Sequence, residues 1–185
     1  LFLIADTWGD VLARLAVEPP YPKWYIERPT DQISEINIFP ESEDVKTDKA
    51  QLSFKREKDG TWRVIDYLVG KESRLVDQEK WQQLLPIVKG PDGVDVAVHK
   101  VRDRDYSQWG IGDNSAAVEI RFQNTTEQGT KYTDGSLLLI GDLEPGGEAY
   151  YGKSAEEGIT QPVLLFPKIW VETLLGIYDD IPYAQ

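Results

Sequence analysis

Residues 137–151 read LLLIGDLEPGGEAYY, and they set the local fold of the second half of the chain. An apolar run precedes a Pro-Gly-Gly turn, and a Tyr-Tyr pair follows it. A phosphate-binding loop needs its glycines between a strand and a helix, whereas Gly146 and Gly147 stand between two predicted strands. With Pro145 at its first central position, the turn is typical of a β-hairpin. We therefore predict a hairpin bend here and no nucleotide site.

A second hairpin is predicted in the first half of the chain. Asp59-Gly60 separates two alternating runs, residues 51–57 and 61–66, and Asp-Gly in this position is a strong hairpin signal. Upstream, Ile36 and Ile38 alternate with polar residues, which predicts another strand.

Two amphipathic helices follow from apolar residues spaced at i, i+3, i+4 and i+7. Asp77 is the predicted N-cap of the first helix. The apolar positions are Trp81, Leu84, Leu85 and Val88 in the first helix, and Val171, Leu174, Leu175 and Tyr178 in the second.

Both halves thus have the order strand, hairpin, helix, with counterparts roughly 80–90 residues apart. We predict an α+β fold of tandem duplicated β-β-β-α units, with mostly antiparallel sheets each packed against one helix. The predicted organisation is an N-terminal arm or helix at residues 1–30, a first unit at residues 31–100 and a second unit at residues 101–185.

Composition excludes several classes of function. The 32 acidic and 20 basic residues give a net charge of -12, which repels nucleic acid. Cysteine is absent, so disulfides, thiolate metal sites and cysteine nucleophiles are excluded. The apolar residues 1–5 have two interpretations: the end of a membrane anchor or signal segment, or part of an amphipathic helix that packs on the domain.

The sequence contains no recognisable catalytic motif. His99 is the single histidine, and its neighbours Asp103 and Asp105 belong to a charged run that is typical of a solvated turn. Carboxylate pairs for glycoside hydrolysis meet in space, so sequence spacing neither supports nor excludes them. We predict no catalytic residues, no cofactor and no metal site.

Aromatic residues are the strongest candidates for a binding surface, because exposed tyrosine and tryptophan are common at protein interfaces. Tyr150 and Tyr151 are adjacent, so in a regular strand they point to opposite faces of the sheet. The candidate interaction surface comprises Trp8, Trp24, Tyr25, Tyr106, Trp109, Tyr150 and Tyr151.

Several short motifs together resemble the bacterial DUF4340 family, whose function is uncharacterised. They extend over residues 33–178, although Trp109 stands where the family usually has tyrosine and Gly112 interrupts its usual Leu-Asp. The motifs are Gly60-Thr-Trp-Arg-Val64, Tyr106-x-x-Trp-Gly-Ile111, Leu138-Leu-Ile-Gly-Asp142, Pro145-Gly-Gly147 and Tyr150-Tyr151. The resemblance implies an N-terminal membrane tether upstream of Leu1, a body outside the cytoplasm and an association with ABC-type transporter components.

From these observations we predict a non-enzymatic accessory domain that binds or assists a membrane protein complex. It would act in the periplasm, or in the thylakoid lumen of a photosynthetic host, with transporter subunits or a photosynthetic complex as partners. One alternative is a cell-envelope hydrolase or small-ligand-binding module that uses an acidic cleft. Another is a subunit of a larger assembly in which residues 1–25 form a docking arm.

Overall fold

The computed structural model describes residues 8–9, 29–40, 50–99, 101, 105–126, 128–155 and 162–185. Two α-helices follow strands in this part of the chain: α1, Gln78–Val88, and α2, Lys168–Asp179. The strands are β1 (Ile33–Phe39), β2 (Leu52–Arg56), β3 (Trp62–Asp66), β4 (Ser73–Leu75), β5 (Asp95–Val98), β6 (Ala116–Thr125), β7 (Lys131–Leu143), β8 (Ala149–Ser154) and β9 (Val163–Pro167).

Within the described residues, all nine strands belong to one sheet, in the order β4-β3-β2-β1-β6-β7-β8-β9-β5. Each neighbouring pair is antiparallel. The first and second halves of the chain meet at the β1–β6 pair, where Ile36 lies opposite Ile120 and Ile38 opposite Val118. The centre of the sheet is therefore formed by strands that are distant in sequence.

The predicted fold class is wrong. The structure is predominantly β, with one large antiparallel sheet and two short helices, rather than tandem β-β-β-α units with a helix for each sheet. The prediction failed because β1 and β6 each have an apolar face that continues across their shared edge, and pairing them buries more surface than two separate sheets would. Before each helix the chain also forms four strands of this sheet, one more than predicted.

The two predicted hairpins are confirmed. β2 and β3 pair on either side of Lys58-Asp59-Gly60, and Gly60 has φ +89°, a conformation that side chains disfavour. β7 and β8 pair across Glu144–Gly147, where the Gly147 N–H donates to the Glu144 carbonyl oxygen at 2.9 Å. Both bends follow from local turn chemistry.

Both predicted helices are also confirmed, and they cover the same face of the sheet. Asp77 caps α1, and its carboxylate accepts from the N–H groups of Glu79 and Lys80. Trp81 of α1 stacks on Phe54 with ring centroids 4.4 Å apart, and Trp170 of α2 meets the edge of Phe166 at 5.1 Å. These contacts belong to one hydrophobic core that runs the width of the sheet beneath both helices.

Neither described helix has the length and apolar character that a membrane crossing requires.

Candidate functional site

The structure separates the seven aromatic residues of the predicted surface. Trp8 is helical and 64% exposed, whereas Trp24 and Tyr25 lie outside the described residues. Tyr150 packs against the main core beneath the helices. Its neighbour Tyr151 lies on the opposite face, as the alternation of strand residues predicts.

Tyr106, Trp109 and Tyr151 come together on the face of the sheet away from the helices, and we call these three residues the aromatic cluster. All three are partly buried and pack against Val101, Ile111 and Val163. The ring centroids of Tyr106 and Trp109 are 6.2 Å apart at an interplanar angle of 54°. The cluster thus combines an apolar base with aromatic groups that still reach solvent.

A β-bulge in β7 receives the loop that carries two of these rings. The β7–β8 register shifts between Ile140 and Leu143. At Gly141, an added Cβ atom would lie 2.2 Å from the Trp109 carbonyl oxygen and 2.7 Å from the Ile111 side chain. Because bulges bend a strand locally, β7 can accept the loop backbone where Gly141 has no side chain.

The loop itself is a short 3-10 turn, Ser107–Trp109, fixed at both ends. Asp105 accepts hydrogen bonds from the Ser107 hydroxyl at 2.6 Å and the Ser107 N–H at 2.9 Å, and these bonds lower the pKa of its carboxyl group. Gly110 ends the turn in the left-handed conformation, with φ +67°. Both rings are therefore presented by a defined turn.

Lys153 supplies the positive charge of the site. Its Nζ atom lies 4.1 Å from the centroid of the Tyr106 ring, which is cation-π geometry. Desolvation by the surrounding groups lowers the pKa of Lys153. Lys153 and Tyr151 are two positions apart on β8, so both side chains lie on the face that carries the aromatic cluster.

Sequence reasoning missed Lys153, because an isolated lysine in a strand carries no motif. Gly141 gave the one available signal. An isolated glycine inside an apolar strand suggests a bulge or a close backbone approach, and both occur here.

A polar network on the same face of the sheet was also missed. Asn37 and Ser53 are buried, and the Ser53 hydroxyl donates to Asn37 Oδ1 at 2.6 Å. Asn37 Nδ2 donates to Glu119 Oε2 at 3.0 Å, and Arg121 Nε donates to Glu119 Oε1 at 2.8 Å. Because these groups satisfy one another across β2, β1 and β6, the network fixes the register of the central strands.

The glycine turn that raised the question of a phosphate site holds an anion of its own. The Glu144 carboxylate accepts from the Gly146 N–H at 2.7 Å and from the Glu148 N–H at 3.0 Å. The donation from Glu148, followed by that from Gly146, lowers the pKa of Glu144. The amides that would bind a phosphate are therefore occupied by a side chain of the same turn.

The described grooves have mixed charge. The largest of three has a volume of 470 Å³, and its ionic side chains include Asp31, Glu57, Asp59, Arg56, Lys58 and Lys131. A general acid needs a raised pKa, whereas hydrogen bonds from Thr61 lower the pKa of Asp59. No group of three histidine, aspartate or glutamate residues suited to a metal ion occurs in the described part of the chain. Asp103, a neighbour of His99 in the charged run, lies outside that part.

Comparison of the chain with protein-family models, with curated proteins and with solved structures finds no match. The resemblance to DUF4340 therefore stays a prediction.

Proposed function

We propose that this chain is a protein-interaction domain that docks onto a membrane-associated protein complex outside the cytoplasm, and that the aromatic cluster is its contact surface. The observation that carries the proposal is the meeting of Tyr106, Trp109 and Tyr151 over one apolar base. The rings come from two separate elements of the chain and converge through a bulge and a capped turn.

The physical properties of the cluster favour a protein partner. Tyrosine and tryptophan dominate binding energy at interfaces, because each buries a large apolar area with few rotatable bonds. The turn and the strand already hold the rings in place, so binding would cost little additional conformational entropy. A partly buried aromatic group also gains from losing its remaining contact with water.

The compartment and the membrane complex rest on different support. They follow from the resemblance to DUF4340, which implies a tethered body outside the cytoplasm and association with transporter components. The acidic composition agrees with a protein partner, since a net charge of -12 disfavours nucleic acid. The alternative of a hydrolase or ligand-binding module with an acidic cleft gains no support from the largest described groove, where basic and acidic groups alternate.

The test is affinity purification of the tagged full-length protein from detergent-solubilised membranes of its own organism. Trp109→Ala is compared with Tyr132→Ala, a matched control on β7 whose aromatic side chain is 48% exposed and lies outside the cluster. We expect a membrane protein to be recovered with the unchanged chain and the control, and to be lost with Trp109→Ala.

Direct binding of the purified partner to the same three proteins completes the experiment. Circular dichroism of each variant verifies that the sheet is intact. A partner retained equally by Trp109→Ala would reject the aromatic cluster as the contact surface. Failure to recover any membrane protein would contradict the proposed function as a whole.

A further inference from the structure

Lys153 is a cation without an anionic partner in an otherwise acidic protein. The ion pairs of the described residues involve other cations, and Lys153 contacts Tyr106 through the ring face alone. Asp105, close to Tyr106 in sequence, already uses its carboxylate to hold the Ser107 turn. The ammonium group is therefore partly desolvated and has no carboxylate to balance its charge.

Such an arrangement loses free energy in the isolated protein and regains it when a carboxylate arrives. Desolvation disfavours a charged amine, and the ring of Tyr106 compensates for part of this loss. An anion that approaches Lys153 would pair with it in a setting of reduced water, where the attraction is stronger than at an open surface. Tyr151 and Leu139 border the same place and would contact apolar groups beside that anion.

We infer that the protein partner of the aromatic cluster inserts an aspartate or glutamate side chain, flanked by apolar residues, that pairs with Lys153. The inference rests on the proposed function and names the chemistry of the partner. Charge complementarity selects this occupant, because a cation placed among three aromatic rings matches an acidic group within an apolar segment. The net charge of -12 would repel an acidic segment elsewhere on the surface, which adds to the selectivity for this position.

The experiment is a selection of random dodecapeptides against the immobilised full chain, followed by affinity measurement with synthetic peptides. We expect the selected sequences to contain aspartate or glutamate beside aromatic or aliphatic residues. Replacement of that acid by its amide should weaken binding about tenfold, because a charge pair with partial access to water contributes less than a buried one.

Variants of the chain separate the two levels of the proposal. Lys153→Gln should bind the acidic and amide peptides equally, whereas Lys153→Arg, which keeps the charge, should retain the preference for the acid. Circular dichroism again verifies folding. If the peptides depend on Trp109 yet contain no acid, or bind Lys153→Gln unchanged, the inference is wrong while the docking surface stands. If no peptide binding depends on Trp109, both are wrong.

Discussion

At Gly141 the strand β7 has no side chain, and the backbone of the Tyr106–Ile111 loop occupies the space that one would need. The nearest atom is a carbonyl oxygen, which cannot rotate away as the end of a flexible side chain would. The position of the aromatic cluster therefore depends on the absence of a single methyl group.

We predict that Gly141→Ala destabilises the protein by about 1–3 kcal/mol, the usual cost of forcing an extra carbon into a filled space. Chemical denaturation measures this change. Gly176→Ala is the control, because an added Cβ there meets no atom within 4 Å and the residue lies in α2. It should stabilise the protein by about 0.5–1 kcal/mol, since alanine favours helix. Equal effects of the two substitutions would contradict the packing of the loop against β7.

A second prediction at this scale concerns Glu144 and pH. Backbone N–H groups lower the pKa of this carboxyl group in the folded protein. Its contribution to stability is therefore fully present above the ordinary pKa of about 4.3 and is lost as the pH falls through the lower folded value. Glu144→Gln should be less stable than the unchanged chain at neutral pH, and the difference should shrink below pH 4.3 or so.

Urea denaturation at neutral and acidic pH measures this difference. A stability gap that grows on acidification would show that the Glu144 charge does not stabilise the turn.

Among the elements, the helices and hairpins follow from local sequence signals. The Asp-Gly and Pro-Gly-Gly bends, the Asp77 cap and the apolar stripe that contains Trp81 all lie within a few residues of the structure they specify. Strand β4 was not predicted, because its three residues are exposed and carry no apolar alternation. The bulge in β7 was missed, because its only marker is one glycine in an apolar run.

We predict from the packing of α1 that Trp81→Ala destabilises the protein by about 3–5 kcal/mol. Trp81 is buried between Phe54 and Trp62, with ring centroids at 4.4 and 5.3 Å. Its indole N–H has no hydrogen-bond partner, so Trp81→Phe should cost much less, because it removes a buried unpaired donor along with part of the ring.

Urea denaturation of both variants provides the measurement, with Trp8→Ala as a control because Trp8 is exposed. The control should change stability by less than about 0.5 kcal/mol. A loss for Trp81→Phe as large as that for Trp81→Ala would show that the indole nitrogen contributes favourably.

On the scale of the whole molecule, the pairing of β1 with β6 overturns the division into two β-β-β-α units. No local signal specifies which strand lies beside Ile36 and Ile38, since any apolar strand edge of matching register would serve. The network of Asn37, Ser53 and Glu119 narrows the choice, yet it becomes visible only once the three strands are adjacent. The candidate site has the same limit, because Tyr151 and Lys153 reach Tyr106 through the arrangement of the sheet.

The continuous core predicts that the chain unfolds in one cooperative transition. Residues of both halves belong to the same hydrophobic cluster, so neither half can lose its packing alone. Tryptophan fluorescence and far-ultraviolet circular dichroism, followed together in urea, should give coincident curves. Two separate transitions would instead favour independent units.

The β1–β6 pair also constrains the order of events during synthesis. Asn37 and Glu119 are 82 positions apart, so at about 5–20 residues per second the ribosome needs roughly 4 to 16 s to supply the partner strand. Until then β1 has an open edge with unpaired backbone groups beside buried-type residues such as Ile36 and Ile38. The nascent chain is therefore most vulnerable to aggregation at the strand that later forms the centre of its sheet, and a chaperone would be needed most during this interval.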